Sequence, residues 1–312
     1  MDLDLAQLRA LSATVAEGTF EAAARSLHVT PSAISQRIKA LEQSVGRVLL
    51  QRTKPVQVTE SGEAILRLAR NIDLLAADAR LALGDARAGD DHAGDARGDA
   101  AGASAPHIAP VSIPLAVNAD SLATWILPAL ASLPATMTFD IQRDDQDHTT
   151  ALLRSGSVMA AITAIRSPIQ GCTSTPLGAM RYRMMCTPAF ADTWFAGGVT
   201  AAALAHAPVV VFDRKDDLQH AYLRRRAHRT LHPPKHYIPA SADFVTAVRL
   251  GLGWAMLPDL QTAGPERRGE LVELDRESAA DVSLYWQQWQ LRSTSLDLVA
   301  EAVRAAAARE LR

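Results

Sequence analysis

Thirty-two residues, TFEAAARSLHVTPSAISQRIKALEQSVGRVLL from Thr19 to Leu50, constrain this chain more than any other stretch. Phe20, Ala23, Ala24 and Leu27 recur at helical spacing and predict a short helix with one apolar face. His28-Val29 turns the chain, and Thr30 ahead of Pro31 supplies an N-cap and a first helical residue. A second helix follows to about Val45, burying Ile34, Ile38 and Leu41 and stopping at Gly46. With a preceding helix over Leu3–Ala16, whose core positions are Leu5, Leu8, Leu11 and Val15, the pattern is a helix-turn-helix. The outer face of the second helix offers Thr30, Ser32, Ser35, Gln36, Arg37 and Lys39, hydroxyls and long donors that can enter a DNA major groove.

Charge separates a DNA-reading unit from an amphipathic hairpin with a solvated face. The chain carries a formal net charge of −2. Between Thr30 and Lys54, in contrast, five bases (Arg37, Lys39, Arg47, Arg52, Lys54) face one acid, Glu42. A locally basic segment in a near-neutral protein is the footprint of phosphate contacts. Leu49–Thr53 and Val56–Thr59 alternate around Lys54-Pro55 and read as a β-hairpin wing, with Arg52 and Lys54 placed to hold phosphate.

Two runs, AAARSLHVTPSAISQRIKALEQSVG and LLQRTKPVQVTESG, resemble the winged helix-turn-helix of LysR-type transcriptional regulators. The resemblance extends through the chain: VNADSLATWILPAL, the acidic DDQDHT, FDRKD and GLGWAMLP are similar to the ArgP/LysG branch, which answers to basic amino acids. The run Asn118–Leu130 is the most specific of these. One departure is Leu50, where the family usually has Phe, which bears on core packing and leaves DNA reading intact. The resemblance implies an α/β multidomain protein: an N-terminal winged helix-turn-helix, a long linker helix and a C-terminal two-lobed, periplasmic-binding-protein-like α/β effector domain. It also implies an operator in double-stranded DNA, a tetramer built from two dimers, contact with RNA polymerase, and control of a basic-amino-acid exporter gene. The branch is associated with replication-origin DNA as well, so a general chromosome-binding role, or a different small-molecule effector, is the alternative within the family.

Residues 1–60 are expected to form the winged domain and 61–83 the linker helix. On that helix Ile65, Leu68, Ile72, Leu75, Ala79 and Ala82 follow a mixed three-four spacing that suits a coiled-coil seam. Some 22 residues of helix span about 33 Å, more than a small winged domain covers, so the stripe is expected to pair with a second copy. Packing against the next domain of the same chain is the alternative. Residues 84–106, built from Ala, Gly, Asp, Arg, His, Ser and Pro, cannot offset their ordering entropy and read as a flexible linker.

From His107 strands alternate with helices, predicting parallel sheet with crossover helices. Strands are expected at Val111–Val117, Thr138–Arg143 and Val158–Thr163, with helices at Ser121–Leu133 and His148–Ser155. A second set runs from Arg181–Cys186 to Leu271–Leu274, and Val282–Trp289 and Ser293–Leu311 close the chain. The lobes are expected to comprise 107–180 with 276–312, and 181–275, the chain crossing near Leu177–Arg181 and Asp275–Asp281.

In such sheets ligands bind beyond the carboxyl ends of the strands. Asn118, Asp120 and Ser121 follow the first strand, at a helix N-terminus whose N–H groups and Ser121 hydroxyl suit a carboxylate. Asp144, Asp145 and Asp147 follow the next strand, and Asp213 follows Pro208–Phe212. Together they hold the acids an amino acid with a cationic tail needs, and likeness to the branch points to L-lysine or L-arginine, with histidine a third choice. Read from pattern alone, Asp120 and Ser121 serve equally as a cap, and Asp144–Asp147 as a solvated loop. Trp125 and Trp254 are expected in the core.

No cofactor or metal is expected, and no catalytic residue: GxSxG, HExxH and a glycine-rich loop after a strand are all missing from the sequence. Cys172 and Cys186 have no metal-ligand spacing and are expected as buried free thiols, a disulfide being the alternative. No apolar run reaches the length of about 18 residues that a membrane span needs. The acidic start MDLDLAQLRAL lacks an export signal, and a cytoplasmic protein is expected. An exported solute-binding protein or an enzyme on the same two-lobed scaffold are the competing classes, and the first 60 residues argue against both.

Overall fold

Side-chain caps set the first three helices. Asp4 accepts from Ala6 and Gln7 N–H groups and starts α1 (Leu5–Glu17); Thr19 and Thr30 do the same for α2 (Phe20–Ser26) and α3 (Pro31–Val45). Gly18 and Gly46, both in the left-handed region, end α1 and α3. The structure, a computed structural model, describes residues 3–90, 111–143, 146–277 and 279–312, without the side chains of 84–90 and 146–148.

Leu8, Leu11, Ile34, Ile38 and Leu41 form the core of the winged domain, joined by Leu49, Leu50 and Val56. The wing is shorter than expected: β1 (Leu50–Gln51) pairs antiparallel with β2 (Gln57–Val58). Leu50 is buried there, so the smaller side chain at the family's usual Phe position still packs in the core.

The long helix α4 runs from Glu60 to Asp90, seven residues into the stretch read as linker; the rest of that stretch, 91–106, lies outside the described residues. Its apolar positions divide between two partners. Ile65, Leu66 and Ala69 join the winged core, whereas Leu74 and Ala77 join the core of the effector domain. Packing against the next domain of the same chain therefore accounts for part of the helix. Leu68 (37% exposed), Leu75 (42%), Ala79 and Ala82 still face outward, with Ile72 half-buried among them.

In lobe 1, β3 (Val111–Val117) lies parallel between β4 (Met137–Arg143) and β5 (Ala160–Thr163). Three helices connect these strands: α5 (Ala119–Thr124), α6 (Ile126–Ala131) and α7 (Gln146–Ser155). The single helix expected over Ser121–Leu133 is two, because Trp125 leaves helical geometry at φ −121°, ψ −19°. Pro128 then falls in the first turn of α6, where a missing N–H costs no hydrogen bond.

The strand expected at Arg181–Cys186 is the end of a 15-residue strand, β6 (Cys172–Cys186). Lobe 2 adds α8 (Pro188–Trp194), α9 (Ala201–His206), β7 (Val209–Val211), α10 (Leu218–Ala227), β8 (Lys235–Tyr237) and α11 (Ser241–Arg249). Next come β9 (Ala255–Pro258), α12 (Asp259–Arg267) and β10 (Val272–Glu273). The helix α12 was not expected; Arg183 on β6 ties it down through Asp259, Thr262 and Glu266, and bonds Glu273 on β10. Finally β11 (Ala280–Trp289) returns to lobe 1, followed by α13 (Thr294–Glu310).

The two crossing strands, β6 and β11, pair antiparallel from Ala280↔Tyr182 to Trp289↔Cys172. A register shift opposite Leu284/Tyr285 marks a bulge at Leu177 of β6, which has no partner on β11. Gly178 beside it sits at φ +130°, and a Cβ there would come within 2.9 Å of Arg312 O. Trp254 and Trp286 are both fully buried, the first edge-on to Tyr222 at 5.4 Å. Cys172 and Cys186 are buried free thiols, their pKa values pushed by burial up to about 11 and about 12.

Candidate functional site

Two surfaces carry the residues singled out by the sequence: the outer face of α3 with its wing, and a cleft between the lobes. On α3, Ile34, Ile38 and Leu41 point into the core, which leaves Ser32, Gln36 and Lys39 exposed and Ser35 and Arg37 half-exposed. Thr30 accepts from the Ala33 N–H at 3.2 Å and lies 2.9 Å from the Ser32 hydroxyl, so both sit at the helix N-terminus. On the wing Arg52 and Lys54 are exposed, and the Arg52 guanidinium lies 5.4 Å from the Phe20 ring centre. The lone acid of the segment is turned inward: Glu42 Oε1 accepts from the Leu49 N–H at 2.8 Å and the Leu50 N–H at 3.4 Å. Its charge fixes the start of the wing, and the outward face stays basic.

The cleft encloses about 550 Å³ and is lined by Asn118, Asp120, Tyr182, Phe212, Asp213, Lys215 and Asp216, with Gln219, Phe244, Met256 and Val282. Its size lies within the roughly 300–1,000 Å³ usual for small-molecule sites. Asn118 and Asp120 come from the end of β3 and the start of α5, in lobe 1. Asp213 and Asp216 come from the loop between β7 and α10, in lobe 2. Asn118, Asp120 and Asp213, far apart in sequence, are thus brought together. Asp144 and Asp145 lie outside the described residues.

Ser121 departs from the expectation. Its N–H donates to Asn118 Oδ1 at 2.9 Å; its hydroxyl is fully buried, has no hydrogen-bond partner among the described residues and does not line the cleft. Asn118 is the true N-cap of α5 and takes up the first N–H group of the kind assigned to a carboxylate.

Asp120 bridges the lobes. Its Oδ2 accepts from the Tyr182 hydroxyl at 2.7 Å, and its Oδ1 accepts from the Ser241 hydroxyl at 2.6 Å, which Gln261 Nε2 reaches in turn at 2.9 Å. Burial and then the neighbouring Asp120 charge hold the Tyr182 phenol protonated, with its pKa well above the ordinary value. Asp213 Oδ1 accepts from the backbone of Lys215 at 2.7 Å and of Asp216 at 2.9 Å, closing a tight turn.

That turn presents Asp216, which sequence reasoning missed. Its carboxylate accepts from the Phe212 N–H at 3.2 Å and the Leu218 N–H at 2.9 Å. The buried Gln219 amide, with its nitrogen turned toward the carboxylate, donates to Oδ2 at 2.8 Å and to Oδ1 at 3.2 Å. Burial raises the Asp216 pKa above the usual aspartate range despite these bonds, and the charges of Asp213 and Asp120 add to the rise. Phe212 and Phe244, 6.2 Å apart, form an apolar wall beside it. A cleft lined by four carboxylates (the fourth, Asp217, paired with Arg224), with hydroxyl groups and an aromatic wall, suits a cation on an aliphatic stem.

Residues 5–63 match the family described as bacterial regulatory helix-turn-helix protein, lysR family, and residues 113–308 match the LysR substrate binding domain. A relative from Mycobacterium tuberculosis, HTH-type transcriptional regulator LysG, is 41% identical over 305 residues, covering 98% of this chain and 94% of its own. The lysine export transcriptional regulatory protein LysG of Corynebacterium glutamicum is 36% identical over 309 residues, with 98% of each chain covered. Among solved structures, ArgP from Mycobacterium tuberculosis superposes with a TM-score of 0.81 at 40% identity, covering 100% of this chain and 99% of that one. Full-length LysG from Corynebacterium glutamicum with bound effector Arg gives a TM-score of 0.72 at 35% identity, covering 99% and 100%. The described residues contain no helix long and apolar enough to cross a membrane and no cluster of metal-ligating side chains. With these matches over both of its parts, the chain belongs to the LysR family, as a DNA-binding transcriptional regulator of the LysG/ArgP type.

Proposed function

We propose that the interlobe cleft takes a basic amino acid, lysine or arginine, and that its occupancy governs the transcription of a basic-amino-acid exporter gene. The observation that carries this reading is the meeting of Asp120, Asp213, Asp216 and Asp217 in one cleft with, among the described residues, a single lining base, Lys215. Asp216, half-buried in the cleft wall, meets the side-chain ammonium or guanidinium together with Asp213. Asp120 has lone pairs left after Tyr182 and Ser241 and accepts from the α-ammonium. The α-carboxylate faces Lys215, and the Phe212–Phe244 wall packs on the methylene stem. The Corynebacterium relative with arginine as effector, and the export role in its name, support the same assignment.

On the DNA side, Ser32, Ser35, Gln36, Arg37 and Lys39 read base edges with Thr30 at the helix tip, while Arg52 and Lys54 hold phosphate. The outward positions Leu68, Leu75, Ala79 and Ala82, with Ile72 half-buried against the winged core between them, keep heptad spacing and pair α4 with a second copy, giving a dimer and, through the effector lobes, a tetramer. Such an assembly binds two half-sites separated by a multiple of a helical turn and meets RNA polymerase at the promoter, in the cytoplasm.

Calorimetric titration of the purified protein against the common amino acids tests the reading. Lysine or arginine saturates a single site per chain, and neutral amino acids of the same length bind at least tenfold more weakly, given about 1.5–3 kcal/mol for a charge-assisted contact. Absence of heat with lysine, arginine and histidine alike refutes it.

A further inference from the structure

We propose that His220, neutral beside the Lys235 ammonium, is a positioning residue for Asp216, and that a second ring proton loosens this carboxylate and weakens the hold on a cationic ligand. The positioning concerns the chain alone; the effect on a ligand rests on the effector reading given above.

The start of α10 depends on Asp216. Asp217 stands at the N-cap position and makes no side-chain capping bond; its carboxylate turns to Arg224, at 3.0 and 2.6 Å. The Leu218 N–H, in the first turn, goes instead to Asp216 Oδ1 at 2.9 Å. Two successive residues of α10 grip Asp216 in return. The Gln219 amide donates to its carboxylate, and His220 Nδ1 lies 3.2 Å from its carbonyl oxygen. Gln219 lines the cleft, whereas His220 and Lys235 do not, so these two act on a ligand through Asp216.

The partners of the ring dictate its tautomer. A carbonyl oxygen only accepts, so Nδ1 carries the proton and donates to Asp216 O. Nε2 lies 2.8 Å from Lys235 Nζ and offers its lone pair to the ammonium. A primary amine is a far stronger base than an imidazole, so the shared proton stays on the lysine. A second ring proton replaces the lone pair by an N–H, and two cationic donors then face each other at hydrogen-bond distance.

The return of the chain from α10 to β8 brings Lys235 into place. His228, at φ +50°, ends α10, and Leu231 and Pro233 are buried beyond it. Pro234 O accepts from the Val209 N–H at 2.9 Å, and Lys235, half-buried, pairs with Val209 at the start of β8. Other ionisable groups surround the ring on its own and neighbouring elements. Asp217 owes its lowered pKa first to the bond from Arg224, and the imidazole adds to the lowering. Among the packed elements, α9 ends in the exposed His206, β8 adds the exposed His236, and β9 has no ionisable side chain.

Three variants of the full-length protein separate these bonds. His220→Asn keeps a donor near the Nδ1 position, His220→Ala keeps neither bond, and Lys235→Met removes the ammonium. At about pH 8, where an ordinary imidazole is neutral, ligand-free amide exchange over 214–219 is expected to rise about tenfold in His220→Ala and to stay near parental in His220→Asn. Arginine affinity at that pH is expected to fall about threefold to tenfold in His220→Ala, one hydrogen bond's worth, and to be largely restored in His220→Asn. From about pH 8 to about pH 5.5, the parent is expected to lose at least fivefold more arginine affinity than His220→Asn, in which Asp216 and the other histidines still titrate. Lys235→Met is expected to lose less than the parent, because a ring proton expels no ammonium there.

Parental exchange in His220→Ala overturns the positioning role, and so does exchange in His220→Asn as fast as in His220→Ala. A pH-dependent loss as large in His220→Asn and Lys235→Met as in the parent overturns the proton dependence. Arginine that fails to bind the parent protein refutes the effector reading alone, and exchange over 214–219 still decides the positioning.

Discussion

Replacing Asp216 by Asn changes one atom in the cleft and separates ligand binding from folding. In the parent protein both carboxylate oxygens accept backbone N–H groups, Phe212 on Oδ2 and Leu218 on Oδ1. Asn keeps one acceptor oxygen, so one of these donors loses its partner, at about 1–3 kcal/mol. Against this, Asn removes a half-buried charge whose raised pKa marks its ionised form as penalised by the fold. The opposed effects leave stability within about 1 kcal/mol, a melting shift of roughly 2–4 °C at this domain size. Ligand binding has no such offset. Loss of a charge-assisted contact costs about 1.5–3 kcal/mol, a fall of roughly 10- to 150-fold in arginine affinity. Titration with arginine and with citrulline, its neutral analogue, shows whether charge is the cause: the parent discriminates between them and Asp216→Asn largely does not. An Asp216→Asn variant that binds arginine within threefold of the parent refutes the role given to this carboxylate.

The raised Asp216 pKa also sets a pH dependence. The group holds its proton more readily folded than unfolded, so its own contribution to ligand-free stability is greater at low pH and declines as pH rises through the folded pKa, opposite in sign to that of Asp217, Glu266 and Asp281, whose pKa values are lowered by Arg224, Arg183 and Arg181. Arginine affinity runs the other way, weakening as pH falls from neutral toward acid and starting above the ordinary aspartate value of 3.8; calorimetry across that window checks both signs. On the DNA face, Arg37→Ala is expected to lower discrimination between operator and random sequence, by about 1–3 kcal/mol if its contact is bidentate. Lys54→Ala is expected to weaken both kinds of DNA alike, and competition binding distinguishes the two. Leu68→Asp with Leu75→Asp places charge on the exposed stripe of α4 and is expected to yield monomers by light scattering with the effector lobes still folded. Gly178→Ala forces a side chain onto Arg312 O from a left-handed backbone and is expected to cost about 1–3 kcal/mol in thermal melts.

The sequence made local structure legible wherever a single residue type decides the backbone. Thr30-Pro31 and Gly46 bound α3 as read, and the apolar run Val111–Val117 is β3 to the residue. Elements shaped by distant partners were not legible. Pro176 and Gly178 look like a turn, yet they lie inside β6, because a bulge in its pairing with β11 accommodates both. Gly264-Pro265 looks like a stop, yet both lie inside α12, which Arg183 holds from another strand.

The cleft divides along the same line. Asn118, Asp120 and Asp213 follow strands, and that position together with the family resemblance marked them; pattern alone left Asp120 equally a helix cap. Asp216 sits in Arg214–Asp217, a run of charge that reads as a solvated loop; what holds it at the cleft is its bonding to the Phe212 N–H and the Gln219 amide. The donors to Asp120, Tyr182 and Ser241, lie 62 and 121 residues away and left no local signal.

The account joins a cationic ligand in the cleft to a change at the DNA, and one titration addresses both at once. A genomic fragment selected by the protein is footprinted while arginine is raised through its calorimetric dissociation constant, with citrulline as the control. The footprint is predicted to change over the concentration range in which the cleft fills, and citrulline at the same concentrations to leave it as it was. A footprint unmoved by arginine at ten times its dissociation constant contradicts the account.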